Sequence, residues 1–176
     1  MLIAIEMADY ILNRMSNPSY PSTAEQANIR MAEAMAEYIQ ANAEITFSWI
    51  AYSGGGSQDP TTSCTGGYIT LMFTLTPSGA IDRTTAINAH KTQLINGMMN
   101  ATYNITQSGF VTSAGSMSTA PTIGNLNLNP TGNTPMLAME SYCQNIIDWI
   151  KQLIPTAPCA GTHGAYTGSG TVISII

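Results

Sequence analysis

Between Ser22 and Leu75 the apolar residues change their period once, and that change restricts the chain to folds in which a helix packs on an antiparallel sheet. From Ala24 to Gln40 strong helix formers dominate and β-branching is almost absent. Ala27, Met31, Ala34, Met35, Tyr38 and Ile39 recur at helical spacing and make one apolar face, with Arg30, Glu33 and Glu37 towards the other. That face reads as core. Ser22 and Glu25 stand at capping-box spacing, and Pro21 cannot continue an earlier helix. Beyond it, Ile45, Phe47 and Trp49 alternate with Thr46 and Ser48, and Ile69, Leu71, Phe73 and Leu75 alternate with Tyr68, Thr70, Met72, Thr74 and Thr76. Such alternation predicts antiparallel strands with one face on the core. The connection from Ser53 to Gly66 is too long for a tight turn, so it reads as a binding loop or a spacer.

The remaining elements follow from local signals. Residues 2–15 predict a first helix, with Ile3, Met7, Tyr10, Ile11 and Met15 on one side; the Asn17–Pro21 turn makes it pack on the second as a hairpin. Pro77-Ser78-Gly79 marks a turn, and Asp82 is the expected N-cap of a third helix carrying Ile87, Leu94, Ile95, Met98 and Met99. Residues 109–133 are rich in Ser, Thr, Gly, Asn and Pro; Phe110-Val111 suggests a short strand, and Ile123, Leu126 and Leu128 space out apolar anchors, the pattern of an extended arm laid over a surface. Thr134 is an N-cap with Pro135 at the first helical position, and Pro155 ends that helix. Its apolar stripe is Met139, Tyr142, Cys143, Ile146, Trp149, Ile150 and Leu153. The chain ends in a strand, 165–176, whose run Thr171, Val172, Ile173, Ser174, Ile175, Ile176 has no Lys or Pro to guard it. An unguarded strand of that kind has to pair, in its own sheet or with a neighbour. Ala165-Tyr166-Thr167-Gly168 also echoes Ala51-Tyr52-Ser53-Gly54.

Charge narrows the function. Only 9% of residues are Asp, Glu, Lys or Arg, against about 25% in typical soluble domains. None falls between Lys91 and Glu140, and none follows Lys151. Uncharged Ser/Thr/Asn/Gly tracts avoid the cost of desolvating charges against a neighbour, so this surface reads as one covered by other subunits, with a neutral extracellular surface as the competing reading. Five scattered cations and a net charge of −5 argue against nucleic-acid binding. The opening residues have no basic n-region and carry Glu6 and Asp9 in their apolar run, which argues against a secretory signal or a membrane span.

Candidate chemistry is sparse. Cys64, Cys143 and Cys159 are too few and too widely spaced for zinc. Cys143 falls on a helix face as a core residue, while Cys64 and Cys159 sit in loops and form a disulfide if the fold brings them together. Cys159 and His163, four apart, lack a group to activate the thiol, and His90 has no ligand partner at useful spacing. Gly54-Gly55-Gly56 lacks the Lys of a phosphate loop, and the triplets at Asn100 and Asn104 read as chance matches to the glycosylation pattern. No cofactor, metal or catalytic group is expected.

The order of elements implies one α+β domain over 1–176, a small, mostly antiparallel sheet packed against about four helices, with the 109–133 arm and the C-terminal strand. The helical start, the uncharged middle and the unguarded terminal strand resemble small virion proteins of tailed bacteriophages, of the neck, tail-completion or baseplate type. The resemblance implies a structural subunit, assembled in the host cytoplasm into the virion, that contacts copies of itself and other virion proteins. It implies neither cofactor nor catalysis. From their own pattern, and not from the resemblance, Thr171–Ile176 and Ile123, Leu126 and Leu128 are the expected contact residues. The alternatives are a capsid-decorating protein, or a non-enzymatic module that recognises a partner or carbohydrate through the 53–66 and 109–133 loops.

Overall fold

The structure is a computed structural model that describes residues 1–70, 102–105, 115–116, 131–152 and 158–176, with single positions at 85, 88, 89, 91, 92 and 96. Its elements are helices α1 (Ala4–Ser16), α2 (Ala24–Asn42) and α3 (Pro135–Gln152) and strands β1 (Ile45–Ser48), β2 (Ile50–Ser53), β3 (Ser63–Thr70), β4 (Thr102–Ile105), β5 (Gly115–Ser116), β6 (Pro158–His163) and β7 (Tyr166–Ile175). The class is α+β, and every strand pairing is antiparallel.

The described helices form where the sequence places them, with the cap of α2 shifted and that of α3 as expected. Thr23, not Ser22, caps α2: its hydroxyl accepts from the Gln26 amide at 3.2 Å, and the Gln26 carboxamide oxygen accepts from the Ser22 amide and hydroxyl at 3.3 and 3.1 Å. The expected box is therefore shifted by one residue, because Gln26 serves as well as Glu25 to reach back. At α3 the Thr134 hydroxyl accepts from the Leu137 amide at 3.2 Å. On α1 the buried stripe is Ala4, Met7, Ala8 and Ile11, while Ile3 and Tyr10 remain exposed at its margin. Two alanines there let α1 seat closely against both α2 and α3.

The sheet explains the role of the terminal strand. Its order is β6-β7-β1-β3-β4-β5, with β2 continuing the line of β1 and pairing with the first half of β7. β7 thus has β1/β2 along one edge and, from Tyr166 to Thr171, β6 along the other, so the unguarded run finds a partner in β1 of this chain. The echoing segments are partners: Tyr52 stands opposite Thr167 and Ser53 opposite Tyr166. At Gly168 a Cβ would sit 2.6 Å from the Ala51 Cβ, so glycine permits this close approach of β7 to β2.

One core joins the layers. Met7, Ile11, Met35, Ile39, Ile45, Phe47 and Ile146 are fully buried, with Trp49, Trp149 and Ile175 nearly so. Each such side chain contributes about 1.5–3 kcal/mol by leaving water. The expected second strand begins at Ser63, inside what the sequence presents as loop, and is described to Thr70. The stretch 71–76, most of the expected third helix, Phe110-Val111, and Leu153 to Pro155 lie outside the described residues; positions 85, 88, 89, 91, 92 and 96 are helical.

Candidate functional site

The most constrained polar centre is built on Asp59. After β2 the chain reverses at Ser53–Ser57, where Gly56 adopts φ +82° and the Ser53 amide donates to the Ser57 carbonyl at 2.8 Å. The Asp59 amide then donates to the Ala51 carbonyl at 2.9 Å, which lays this connection along β2. Asp59-Pro60-Thr61 closes a local turn in which the Thr61 amide donates to Asp59 Oδ1 at 2.9 Å. Two distant elements complete the centre: Trp49 Nε1–H donates to Asp59 Oδ2 at 3.0 Å, and His163 Nδ1, at the end of β6, lies 2.8 Å from the same oxygen. The expected 53–66 loop is therefore much shorter, and it is fastened.

Asp59 is 2% exposed, the one charged side chain buried to that degree among the described residues. Burial alone would raise its carboxyl, but the Thr61 amide, His163 and the Trp49 indole outweigh burial and hold it below the usual carboxylate range. An ionised carboxylate only accepts, so His163 must present Nδ1–H to it, as the neutral Nδ1 tautomer or as imidazolium. A carboxylate that orients an imidazole also occurs in general-base catalysis, but here its oxygens are shared with an indole and a backbone amide. The arrangement ties β1/β2, the connection to β3 and the β6–β7 hairpin into one unit.

The second candidate is a surface. On the side of the sheet away from the core, Thr46, Ser48, Ile50 and Tyr52 form one row, and Thr167, Ser169, Thr171 and Ile173 form the next. Ile50, Tyr52 and Ile173 are 58%, 51% and 43% exposed. The rows are stitched by hydroxyls: Ser48 Oγ lies 3.2 Å from Thr171 Oγ1, and the Thr171 amide donates to Ser48 Oγ at 3.3 Å. None of the described strands contains Asp, Glu, Lys or Arg.

The sequence-derived candidates distribute unevenly. Thr171–Ile176 lies in and just beyond the second half of β7, where Ile175 is buried and Ile173 exposed, so only part of it is surface. Ile123, Leu126, Leu128 and His90 lie outside the described residues. The Cys64–Cys159 disulfide does not fit. Cys64 stands opposite Phe47 on β3, Cys159 opposite Gly170 on β6, and β1 and β7 intervene. Three strand spacings separate them by about 14 Å, twice the Cα distance a disulfide spans. A Cys159–His163 couple is also out of reach, since four residues along one strand span about 13 Å. Cys143 is buried as expected, and burial pushes its thiol up to about 12. The Asp59–His163 pairing was not found from sequence; the residues are far apart in the chain, and only the short Asp-Pro-Thr turn was locally visible.

An open depression of about 440 Å³ over the first turns of α3 is lined by Thr131, Gly132, Leu137, Glu140, Ser141 and Gln144, with one ionisable group among them. Among the described residues no group of three or more His, Cys, Asp or Glu gathers as a metal site, and no described helix is long and apolar enough to cross a membrane. Comparison with known protein families, with characterised proteins and with solved structures returned no match.

Proposed function

We propose that this protein is a non-enzymatic structural subunit of a large protein assembly, acting through contacts between subunits. The observation that carries this reading is the segregation of charge. Apart from Glu44 and Asp59, every described Asp, Glu, Lys or Arg stands at a helical position, and none stands on any of the seven strands. Free soluble sheets usually guard their surfaces with charge, and an uncharged one avoids a desolvation penalty when a neighbour covers it. The resemblance to tailed-phage virion proteins makes a neck, tail-completion or baseplate component the natural setting, with capsid decoration as a variant.

Native mass by light scattering over a concentration series tests the reading. A discrete multiple of 18.7 kDa, or a mass that grows with concentration, is the expected result. A monomer throughout would overturn self-assembly. The second reading, a binding module, draws on the fastened 54–62 connection, which presents the Gly54–Ser57 tip on a fixed base. A monomer that retains an oligosaccharide on an array would select it.

A further inference from the structure

We infer that the outward face formed by β1/β2 and β7 docks on the same face of a second copy of this chain, with the strands of the two copies antiparallel. The inference rests on the assembly reading and names its surface and its partner. Three observations carry it.

The first is the bulge in β7. Ser174 stands opposite Thr46 and Val172 opposite Phe47, so Ile173 is an extra residue between consecutive pairs. Strict alternation from buried Ile175 would send residue 173 to the core; instead it is 43% exposed on the outward face. A bulge re-aims a side chain, and here it places a large β-branched residue in solvent. Among the described residues nothing on the chain covers it.

The second is the disposition of apolar groups. Ile50 and Tyr52 lie at one end of the two rows and Ile173 at the other, beside Thr46. Four residues, about 13 Å, separate Ile50 from the level of Ile173, with Ser48 and Thr171 between them. A two-fold axis lying between the copies, across the strands at the Ser48–Thr171 contact, lays Ile50 of each copy against Ile173 of the other, with Tyr52 two residues, about 7 Å, further along. That is the self-complementarity an isologous interface requires, and sheets stack face to face at about 10 Å with their strands nearly aligned.

The third is chemical type. The polar groups between the apolar ends are hydroxyls, and a hydroxyl both donates and accepts, so a row of them can face a copy of itself. A row of carboxylates or ammonium groups could not. Apart from enclosed Asp59 and Glu44, which precedes β1 and lies 3.8 Å from the N-terminal ammonium, the described charges of each copy stand at helical positions, so few like charges are brought together when two negatively charged chains meet.

Sedimentation equilibrium of the full chain and of two exposed-site variants tests this. Ile50→Lys and Ile173→Glu are each expected to weaken self-association about tenfold or more, with thermal melting unchanged. Mixing the two variants is expected to restore association, because in the mixed pair the new lysine faces the new glutamate while the other end keeps its native contact. Tyr52→Lys replaces Ile50→Lys if that variant's melting falls. If wild type associates and the variants associate equally well, the face is wrong and the assembly reading stands. If the variants weaken association but mixing does not restore it, the antiparallel arrangement is overturned. A monomeric wild type at every concentration overturns the assembly reading as well.

Discussion

The helical side and the sheet side use charge in opposite ways. On the helices it is plentiful, exposed and paired across a hairpin: Arg14 reaches Glu37 with two hydrogen bonds of 2.9 and 2.7 Å, and the Tyr10 hydroxyl donates to Glu37 at 2.8 Å. On the sheet side the one buried carboxylate among the described residues, Asp59, is enclosed by donors from Trp49, Thr61 and His163. An exposed pair competes with water at every moment and contributes little. A buried carboxylate held by several donors is expensive to disturb, since removing it takes a buried acceptor from each of them at once. The same residue class solvates one face and fastens the other.

The most severe way to break this contrast is to cut the sheet itself. Deleting Thr171–Ile176 removes the half of β7 that pairs with β1, together with buried Ile175, and is expected to abolish cooperative thermal unfolding followed by far-UV circular dichroism. A deletion protein that still melted cooperatively but no longer self-associated would make the strand an interface element instead of a core one. Next comes Phe47→Ala, at a fully buried position on β1. Loss of a buried phenylalanine costs about 3–5 kcal/mol, and the midpoint is expected to fall by about 10 °C or more.

Asp59→Asn sharpens the comparison most directly. The amide nitrogen it introduces is a donor facing donors from Trp49, Thr61 or His163, so the midpoint is expected to fall less than for Phe47→Ala but several times more than for any surface pair. Acid should act similarly on the wild type. The Asp59 carboxyl is depressed in the fold, so its contribution is complete above the ordinary carboxylate range near pH 4 and is lost as pH falls through its lower folded value. Midpoints between pH 7 and 5 are expected to be flat in this respect, with a steep decline below about 4; in Asp59→Asn the decline should be shallower. An equally steep variant would place the acid-sensitive group elsewhere.

Sequence made the scaffold legible where a single periodic signal sufficed. Helical stripes such as Met35-Tyr38-Ile39 and Ile146-Trp149-Ile150 are buried, and the alternation from Ile45 to Phe47 marks the core face of β1. The α2 cap slipped by a residue because Ser22 and Thr23 offer the same hydroxyl and Glu25 and Gln26 similar acceptors, whereas Thr134 caps α3 as its sequence indicates. The 53–66 connection read as loop to Gly66 because Ser63–Gly67 has weak strand propensity; pairing with β1 overrides it. The polar centre was illegible for a different reason. Asp59 meets His163 only after β6 and β7 have been laid beside β2, a placement no local window contains. The exposed Ile173 was hidden likewise, since a bulge reverses the face that simple alternation assigns.

The smallest expected effect completes the contrast from the helical side. Arg14 holds the Glu37 carboxyl below its usual range, with Tyr10 adding a further donor. Stability from this pairing is present above the ordinary glutamate value and lost as pH falls through the depressed one. Yet the side chains of Arg14 and Glu37 are 40% and 42% exposed, so water and salt screen them. Arg14→Gln is expected to cost about 0.5 kcal/mol, a midpoint shift of about 1–2 °C. Added salt should shrink that difference, because it weakens the pair in the wild type and has no pair to weaken in the variant. For Asp59→Asn the loss should persist in salt, because its partners are enclosed. Equal salt sensitivity of the two variants would mean that water reaches Asp59 as freely as Glu37, and the distinction between a fastening carboxylate and a solvating one would fall.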